Sequence, residues 1–343
     1  MNQILKPRIA LVGATGAVGQ QMLSILESRR FPLVDLIAFA SPRSEGRIIA
    51  FNGKEYNCNI LRRGCFKDVD IAFFDATDAV STEWVPHAAE AGAWVVDNSA
   101  SFRLKPSVPL VVPEINGHIV TDSAKNTGKI IAGPNCSTVQ LTMALKPLHD
   151  VGGLKRVVVS TYQSTSGAGS AAMRELATNT RATLDGRESM EFAFTHQIAF
   201  NSIPHIGSFS EDGFTSEEKK LMNETRKILD LPDLKISATA VRIPTFNCHC
   251  ESVNVELQRK ISVEQARDAL RSHPGITLED EPTKHLYPMN INAAGRDAVH
   301  VGRIRKDPSI ENGLILWIVS DNLRKGAALN AIQIGELIIG KNI

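Results

Sequence analysis

Short continuous runs of apolar residues alternate with amphipathic stretches through the first 135 residues. The run Ile9–Val12 ends at a glycine, and Val18, Met22, Ile25 and Leu26 then recur at the spacing of one helix face. Similar runs follow at Val34–Phe39, Val69–Phe74, Ala93–Val96, Leu110–Val112 and Lys129–Ala132. Continuous apolar strands that alternate with helices predict a parallel sheet covered on both faces. Right-handed crossovers then make this a doubly wound α/β domain.

The pattern changes after this region. Val253, Val255 and Leu257 alternate with polar residues, which is the period of a half-exposed strand. Three further runs are typical of strands, at Arg156–Thr161, Val299–Ile304 and Leu314–Val319. One stretch, Ser170–Leu184, has a helical pattern. The sequence therefore predicts a second, α+β domain with a mainly antiparallel sheet and helices on one face.

The last helical pattern, from Gly326 to about Ile339, has an apolar face that we expect to pack back on the first domain. We therefore assign residues 1–135 and the terminal helix 322–343 to a dinucleotide-binding domain. Residues 136–321 form the second, catalytic and dimerisation domain in this assignment.

Composition narrows the class of protein. Of 343 residues, 43% are hydrophobic, which excludes a disordered chain. The 38 Lys+Arg residues barely exceed the 37 Asp+Glu residues, so no basic excess favours nucleic-acid binding. The absence of a run of about 18 apolar residues argues against a membrane span. The cysteine count is odd at five and includes no CxxC, which predicts a reducing, cytoplasmic location.

The segment Gly13-Ala-Thr-Gly16-Ala-Val-Gly19 directly follows the first strand and opens the first helix. Glycines at such a turn let backbone N–H groups approach a pyrophosphate at the helix N-terminus. This placement favours a Rossmann-type dinucleotide site. A glycine-rich turn that only packs the helix on the sheet is the alternative.

The end of the second strand bears on the choice of cofactor. That strand ends in Ser41-Pro-Arg43-Ser44, without the carboxylate that usually binds the ribose of NAD. Arg43 with its flanking hydroxyls suits a 2′-phosphate, so NADP is the predicted cofactor. A solvated loop charge is the alternative for Arg43.

The segment Gly133-Pro-Asn-Cys136-Ser-Thr precedes a helical pattern marked by Val139 and Met143. Cys136 therefore lies at or just before a helix N-terminus, a position that favours the thiolate. A buried structural cysteine is the alternative, although a Gly-Pro-Asn turn is typical of an exposed side chain. A thiolate beside a nicotinamide cofactor indicates attack on an acyl carbon, followed by hydride reduction of the thioester.

His249 is the best candidate for a general base among nine histidines, with a structural histidine as the alternative. Neighbouring residues of a strand point to opposite faces, so Cys248, His249 and Cys250 cannot converge on one ion, and no metal site is predicted. Arg242 lies seven residues earlier. It shares a pocket with His249 only if Pro244 or a bulge interrupts the strand.

Two charged segments allow more than one interpretation. Arg103 is a candidate anion ligand or a surface charge, and Glu217-Glu-Lys-Lys220 in isolation is typical of a solvated helix face. The thiols of Cys248 and Cys250 stand beside the candidate base. If they are exposed, their oxidation would inhibit an enzyme that uses His249.

Seven segments, in their order and spacing, resemble the aspartate-β-semialdehyde dehydrogenases over nearly the whole chain. They are Gly13-Ala-Thr-Gly-Ala-Val-Gly19, Asp97-Asn-Ser-Ala-Ser-Phe-Arg103, Val112-Pro-Glu-Ile-Asn116, Gly133-Pro-Asn-Cys-Ser-Thr138, Tyr162-Gln-Ser-Thr-Ser-Gly167, Arg242-Ile-Pro through His249-Cys-Glu251, and Asp321-Asn-Leu-Arg-Lys-Gly326.

The resemblance implies a role for each matching residue. Cys136 would be the acyl-accepting nucleophile, His249 the acid/base catalyst, and Gln163 the residue that orients substrate and intermediate. Arg242 would pair with the substrate α-carboxylate, and Glu217 would lie close to it or to the substrate amine. The implied phosphate ligands are Arg103, Asn135 and Lys220. The implied NADP contacts are Gly13, Thr15, Gly16, Ala17, Val18, Arg43, Ser44, Ser166, Gly167 and Asn322.

The implied reaction is the NADPH-dependent reductive dephosphorylation of L-aspartyl-4-phosphate to L-aspartate 4-semialdehyde. It serves the biosynthesis of lysine and diaminopimelate, threonine, methionine and isoleucine, and the family forms homodimers or dimers of dimers. N-acetyl-γ-glutamyl-phosphate reductase is an alternative whose nucleophile motif differs from Asn135-Cys136-Ser-Thr138. A catalytically silent nucleotide-binding homologue is another, and it would typically have lost the nucleophile.

Overall fold

The computed structural model describes residues 6–122, 128–188 and 193–341. The chain divides into two compact units, Met1–Asn135 with Ala327–Ile343, and Cys136–Gly326. The second boundary between the compact units falls after Gly326. Within the described ranges, no helix is both long and apolar enough to cross a membrane.

The first unit alternates strands with helices. Its elements are β1 (Arg8–Val12), α1 (Ala17–Ser28), β2 (Asp35–Phe39), β3 (Ile48–Phe51), β4 (Lys54–Asn57), β5 (Ile71–Phe74), α2 (Asp78–Glu90), β6 (Trp94–Asp97), α3 (Pro113–Asn116), α4 (His118–Thr121) and β7 (Ile130–Ala132). Five of these strands form a parallel sheet in the order β2-β1-β5-β6-β7, which confirms the doubly wound prediction. The order reverses direction at β1, and such sheets bind ligands at the strand ends beside this point.

Two local features of the first unit differ from the pattern-based prediction. The hairpin β3–β4 was not predicted, since each strand has only four residues. The predicted strand Leu110–Val112 is reduced to a single bridge between Leu110 and Ala132. Pro113 explains this, because it begins helix α3 directly after Val112 and cannot donate to a ladder.

The second unit also combines both element types. Its elements are α5 (Cys136–Gly152), β8 (Leu154–Gln163), α6 (Ser170–Leu184), α7 (Ser216–Leu229), β9 (Lys235–Arg242), β10 (His249–Leu257), α8 (Val263–Ser272), β11 (Ile276–Leu278), α9 (Asn290–Ala293), β12 (Val299–Lys306) and β13 (Gly313–Ser320). The sheet order is β11-β12-β13-β10-β8-β9.

This second sheet is mixed and fits the prediction of a mainly antiparallel sheet only loosely. The three central pairings are antiparallel, but β8 pairs with β9 in parallel, as β11 does with β12. The long crossover that carries α6 and α7 returns the chain to the same direction, as a parallel pair requires. Helix α5 covers one face and packs on β8, β10, β12 and β13.

A π-helical turn, Arg324–Ala328, leads into the last helix, α10 (Leu329–Ile338). This helix is almost wholly buried in the core of the first unit. There it packs against α1 and β6, among apolar side chains such as Ile9, Leu11 and Ile25. The chain therefore returns to the first unit to complete its core.

Candidate active site

The glycine-rich turn of the first unit leaves its backbone open at the end of β1. Gly13 has φ +90°, and a Cβ at this position would lie 2.0 Å from the carbonyl oxygen of Asp75. A Cβ at Gly19 would lie 2.2 Å from the Gly13 oxygen, so only glycine lets helix α1 pack this closely on the turn. Gly16 caps that helix without a side chain. The cradle fits a dinucleotide pyrophosphate.

Arg43 lies at the carboxyl end of β2, which is the strand next to β1 in the sheet. It is exposed within the short 3₁₀ turn Pro42–Ser44. Glu45, two residues further along the chain, pairs with Arg62 at 3.3 Å. The edge of the dinucleotide site thus presents a guanidinium and hydroxyls to a ligand.

Asp75 was not singled out in the sequence. It follows β5 at the point where the sheet order reverses, and its Oδ2 would lie 3.9 Å from a Cβ at Gly16. Burial raises the pKa of Asp75 to about 6; a hydrogen bond with Asn98 opposes the shift and Asp97 adds to it. The available signal was a polar residue directly after an apolar strand of a parallel sheet.

Arg103 is buried, so the alternative of a surface charge is wrong. Its Nε donates to the Gly133 carbonyl at 2.9 Å and its Nη2 to the Asn98 carbonyl at 2.5 Å. A Cβ at Gly133 would lie 2.5 Å from Asn98 Oδ1. These contacts fix the loop that leads to the buried Asn135 and onward to the start of α5.

Three predicted site residues share one row of the second unit's sheet. Gln163 pairs with Arg242 across β8 and β9. Tyr162 of β8 pairs with Cys250 of β10, and this register places His249 of β10 next to Gln163, on the side of β8 opposite to β9. Arg242 ends β9 and His249 begins β10, so the break that their odd spacing required is a change of strand. Residues of one row point to the same face.

His249 is completely buried, and its environment selects one tautomer. The backbone N–H of Ser164 donates to His249 Nδ1 at 3.1 Å. The neutral ring therefore carries its proton on Nε2, which has no hydrogen-bond partner among the described residues. Burial, reinforced by the charge of Arg242, lowers the pKa of His249 to about 3.

The predicted cofactor contacts Ser166 and Asn322 lie in the scaffold around His249. Asn322 Oδ1 accepts from the Cys248 N–H at 3.0 Å and from the Ser164 hydroxyl at 3.1 Å. Its amide also exchanges hydrogen bonds with the Ser166 hydroxyl. Cys248 has φ +69°, an unfavourable conformation for a side chain with a Cβ. The Asn322 bond to its N–H helps to hold this residue just before His249.

The substrate-binding candidates form a charged cluster. Gln163 Nε2 donates to Glu217 Oε1 at 3.2 Å, and Lys220 Nζ lies 3.4 Å from Glu217 Oε2. Arg242 Nη1 donates to the Ser164 carbonyl at 2.6 Å. Burial lowers the pKa of Arg242, whereas the charges of Glu217 and Cys136 raise it. The Arg242 guanidinium therefore lies within electrostatic reach of both the Cys136 thiol and the Glu217 carboxylate.

Glu217 and Glu218 are buried, so the prediction of a solvated helix face is wrong for both. Glu218 completes a capping box with Thr215 at the start of α7, and its Oε1 also accepts from the Ala240 N–H at 3.0 Å. The first turn of α7 is thereby held against β9. Charge alone could not reveal this, because an amphipathic pattern does not show which polar side chains have internal partners.

Cys136 is the first residue of helix α5, as predicted, and it is partly exposed. A Cβ at Gly326 would lie 3.0 Å from the Cys136 Cβ, so glycine permits the π-helical turn to pack against the nucleophile candidate. The Cys136 position thus combines a helix start with a closely packed backbone.

Cys248 and Cys250 are both buried. Burial raises the pKa of the Cys248 thiol, and it raises that of Cys250 to about 12. Buried thiols with raised pKa values are poor targets for oxidation. The hypothesis of redox inhibition required these thiols to be exposed, and they are not.

A doubly wound sheet with a glycine-rich turn, followed by a second unit that holds Cys136, Arg242 and His249, defines a nicotinamide-dependent oxidoreductase. Two family models match the chain: the semialdehyde dehydrogenase NAD binding domain over residues 8–123, and the semialdehyde dehydrogenase dimerisation domain over residues 145–325.

Individual relatives agree over nearly the full length. The chain is 51% identical over 338 residues to aspartate-semialdehyde dehydrogenase of Aquifex aeolicus, covering 98% of this chain and 99% of that one. It is similar to the crystal structure of aspartate semialdehyde dehydrogenase II of Vibrio cholerae complexed with ASA (TM-score 0.94, 43% identity, 98% and 99% covered). It is also similar to the Candida albicans enzyme with NADP (TM-score 0.74, 25% identity, 97% and 98% covered). The chain belongs to the aspartate-semialdehyde dehydrogenase family.

Proposed function

We propose that this protein interconverts L-aspartyl-4-phosphate and L-aspartate 4-semialdehyde, with NADP as cofactor and Cys136 as covalent nucleophile. The observation that carries the proposal is a cluster of side chains around Arg242 in the second unit. Arg242 interacts electrostatically with both Cys136 and Glu217. It also lies in the same row of the sheet as Gln163 and His249. A nucleophile within reach of paired cationic and anionic groups suits an amino-acid substrate.

Recognition of the substrate's backbone groups follows from Arg242 and Glu217. The guanidinium suits the α-carboxylate, because its planar donors match two oxygens at once. The Glu217 carboxylate suits a free α-ammonium. An N-acetyl group has no positive charge to offer this carboxylate, which disfavours N-acetyl-γ-glutamyl phosphate as the substrate. Arg103, Asn135 and Lys220 are the proposed phosphate ligands.

In the biosynthetic direction, the Cys136 thiolate attacks the acyl carbon and the carbon–oxygen bond to phosphate breaks, which leaves a thioester. When bound, the nicotinamide cofactor supplies the hydride that reduces this thioester. His249 donates a hydrogen bond from its Nε2–H to the oxyanion that forms on the acyl carbon and keeps this proton. Collapse of that oxyanion releases the aldehyde and regenerates the thiolate, so His249 need not become charged. Gln163 holds the carbonyl group in position.

Cofactor choice rests on the first unit. The Gly13 cradle supports a dinucleotide, and Arg43 supports a 2′-phosphate at the end of β2. Thr15, Ala17, Val18 and Ser44 lie on the same two segments and are proposed as further contacts. Ser166, Gly167 and Asn322 remain proposed contacts too. The Asn322 amide already makes hydrogen bonds to Ser164, Ser166 and Cys248 around His249. We therefore propose that Asn322 contacts the cofactor as part of this hydrogen-bonded group.

The chain carries a dimerisation domain, and we infer a homodimer formed through the second unit. The exposed face of its sheet presents Tyr162 packed against Trp317. Ile291 of helix α9 is 84% exposed in the same unit. Light scattering on an Ile291→Glu variant tests this surface: a lower mass supports it, and an unchanged mass excludes Ile291 from the interface. The free thiols support a reducing, cytoplasmic location.

The test of the activity is a spectrophotometric assay in the reverse direction. Purified protein is mixed with aspartate semialdehyde, phosphate and NADP, and NADPH absorbance is followed as each component is omitted. Phosphate-dependent NADPH formation that is lost in Cys136→Ala supports the proposal. Turnover only with N-acetylglutamate semialdehyde, or only with NAD, contradicts the substrate or the cofactor assignment. A folded, NADP-binding protein with no turnover would favour the silent homologue.

A further inference from the structure

Glu251 is a buried acid that the proposed reaction does not use. It lies two residues after His249 on β10 and is completely buried. Register places it between Thr161 of β8 and Ile318 of β13, two rows from Gln163 and His249 and therefore on the same face. Both of its carboxyl oxygens lack a partner that meets hydrogen-bond geometry among the described residues.

Gln140 of helix α5 lies opposite this carboxyl. It is buried and stands one helical turn after Cys136, because α5 begins at residue 136. Among the described residues, Gln140 is the one whose side chain lies within hydrogen-bonding reach of the Glu251 carboxyl. The amide nitrogen and oxygen of Gln140 likewise have no other partner in these ranges.

We infer that Glu251 and Gln140 form a neutral carboxylic acid–carboxamide pair that positions the His249 strand against the Cys136 helix. Four buried polar atoms face one another, and buried polar groups require partners. Two hydrogen bonds satisfy all four only when the carboxyl keeps its proton. The Gln140 N–H then donates to the carboxyl C=O, and the carboxyl O–H donates to the Gln140 oxygen.

The electrostatic surroundings agree with a protonated acid. Burial raises the pKa of Glu251 well above its ordinary value, and only the Gln140 amide opposes the shift. On its own strand, the neighbouring titratable groups are His249 on the same face and Cys250 on the opposite one. The pKa of His249 is lowered to about 3 and that of the Cys250 thiol is raised to about 12, so both are uncharged at neutral pH. Neither supplies the positive charge that an ionised Glu251 would require.

The pair links strand β10, which carries His249, to helix α5, which carries Cys136, without contacting the substrate itself. Glu251 and Gln140 are therefore positioning residues. This role rests on the functions proposed for Cys136 and His249. Loss of the pair leaves the substrate-binding side chains untouched, so it should lower kcat by about 10- to 100-fold, the cost of a small misplacement of reacting groups. The KM for aspartate semialdehyde should change little.

Infrared difference spectroscopy tests the protonation state without turnover. The wild-type protein at neutral pH should show the C=O stretching band of a protonated carboxyl, and Glu251→Gln should remove it. Glu256→Gln is the matched control, because Glu256 lies on the same strand but pairs with Lys155 near the surface. A wild-type spectrum without a band that depends on Glu251 would overturn the inference, whether or not the protein is active.

An exchange of the two side chains tests the positioning role. Gln140→Leu should lower kcat, whereas the double variant Gln140→Glu/Glu251→Gln restores an acid–amide pair with its partners reversed and should recover most of the activity. Thermal unfolding of each variant checks that it is folded. Full kcat in a folded Gln140→Leu protein, or a double variant less active than Gln140→Leu, would refute the positioning role.

Discussion

The backbone N–H of Ser164 donates to His249 Nδ1 at 3.1 Å, and this bond determines what the imidazole can do. A backbone N–H can only donate, so Nδ1 must be unprotonated and the neutral ring carries hydrogen on Nε2. Protonation of the ring would set two donors against each other beside the charged Arg242. The sheet thus favours a histidine that donates a hydrogen bond while it stays uncharged.

The first prediction follows from this tautomer. His249 should remain neutral, with hydrogen on Nε2, from pH 8 to below pH 5, because burial and Arg242 lower its pKa to about 3. Nitrogen-15 NMR of imidazole-labelled protein measures this directly, with His249→Asn used to assign the signal. A ring that titrates with a midpoint between pH 6 and 7 would contradict the assignment.

The same shift predicts a contribution to acid lability. The folded protein binds the His249 proton less well than the unfolded chain, whose histidines titrate near about pH 6.5. Stability should therefore fall as the pH drops from about 6.5 towards 3, and be unaffected by this group above that range. The Tm of His249→Asn, measured across this window, should fall less steeply than that of wild type. Parallel curves would show that His249 contributes nothing to the slope.

Gly167 gives a prediction about space at the site. A Cβ there would lie 3.0 Å from Arg242 Nη1 and 3.1 Å from two atoms of the His249 ring. Gly167→Ala should therefore displace both groups and lower kcat/KM by about tenfold or more, with little change in Tm. Gly128→Ala is the control, because among the described residues no atom outside the adjacent chain lies within 4 Å of a Cβ at that position. Equal kinetics for the two variants would argue against close packing of Gly167 on the site.

Arg43 tests the cofactor assignment. Arg43→Ala should raise the KM for NADP by about tenfold or more, since a hydrogen bond to a charged group contributes about 1.5–3 kcal/mol, and should leave the KM for NAD almost unchanged. Arg47→Ala is the matched control, an exposed arginine four positions further along the same segment. Equal losses with both cofactors would mean that Arg43 does not bind the 2′-phosphate.

Asp75 predicts a pH-dependent stability at the dinucleotide turn. Burial raises its pKa to about 6, so the folded protein holds this proton more tightly than the unfolded chain does. The cost of ionising it grows between about pH 4 and 6 and is constant above. The Tm difference between Asp75→Asn and wild type should therefore move in favour of the variant as the pH rises from 4 to 6. A difference that is independent of pH would show that Asp75 has an ordinary pKa.

The sequence predicted those features that depend on local pattern. Apolar runs and the Gly13–Gly19 segment predicted the parallel sheet and its turn, and the Gly-Pro-Asn segment predicted the helix start at Cys136. It could not predict that Glu217 is buried, since the capping box and the neighbouring strand β9 decide this. It also could not align Arg242, Gln163 and His249, because strand register joins residues far apart in the chain. The buried Glu251 opposite Gln140 became visible only once the strand register was known.

The most direct test of the account is the detection of an acyl group on Cys136. The protein is incubated with aspartate semialdehyde and NADP in the absence of phosphate, quenched in acid, digested and examined by mass spectrometry. The account predicts one aspartyl adduct on the peptide that contains Cys136, formed together with NADPH and discharged when phosphate is added. NADPH formation with an unmodified Cys136 peptide, or an adduct on another cysteine, would contradict it.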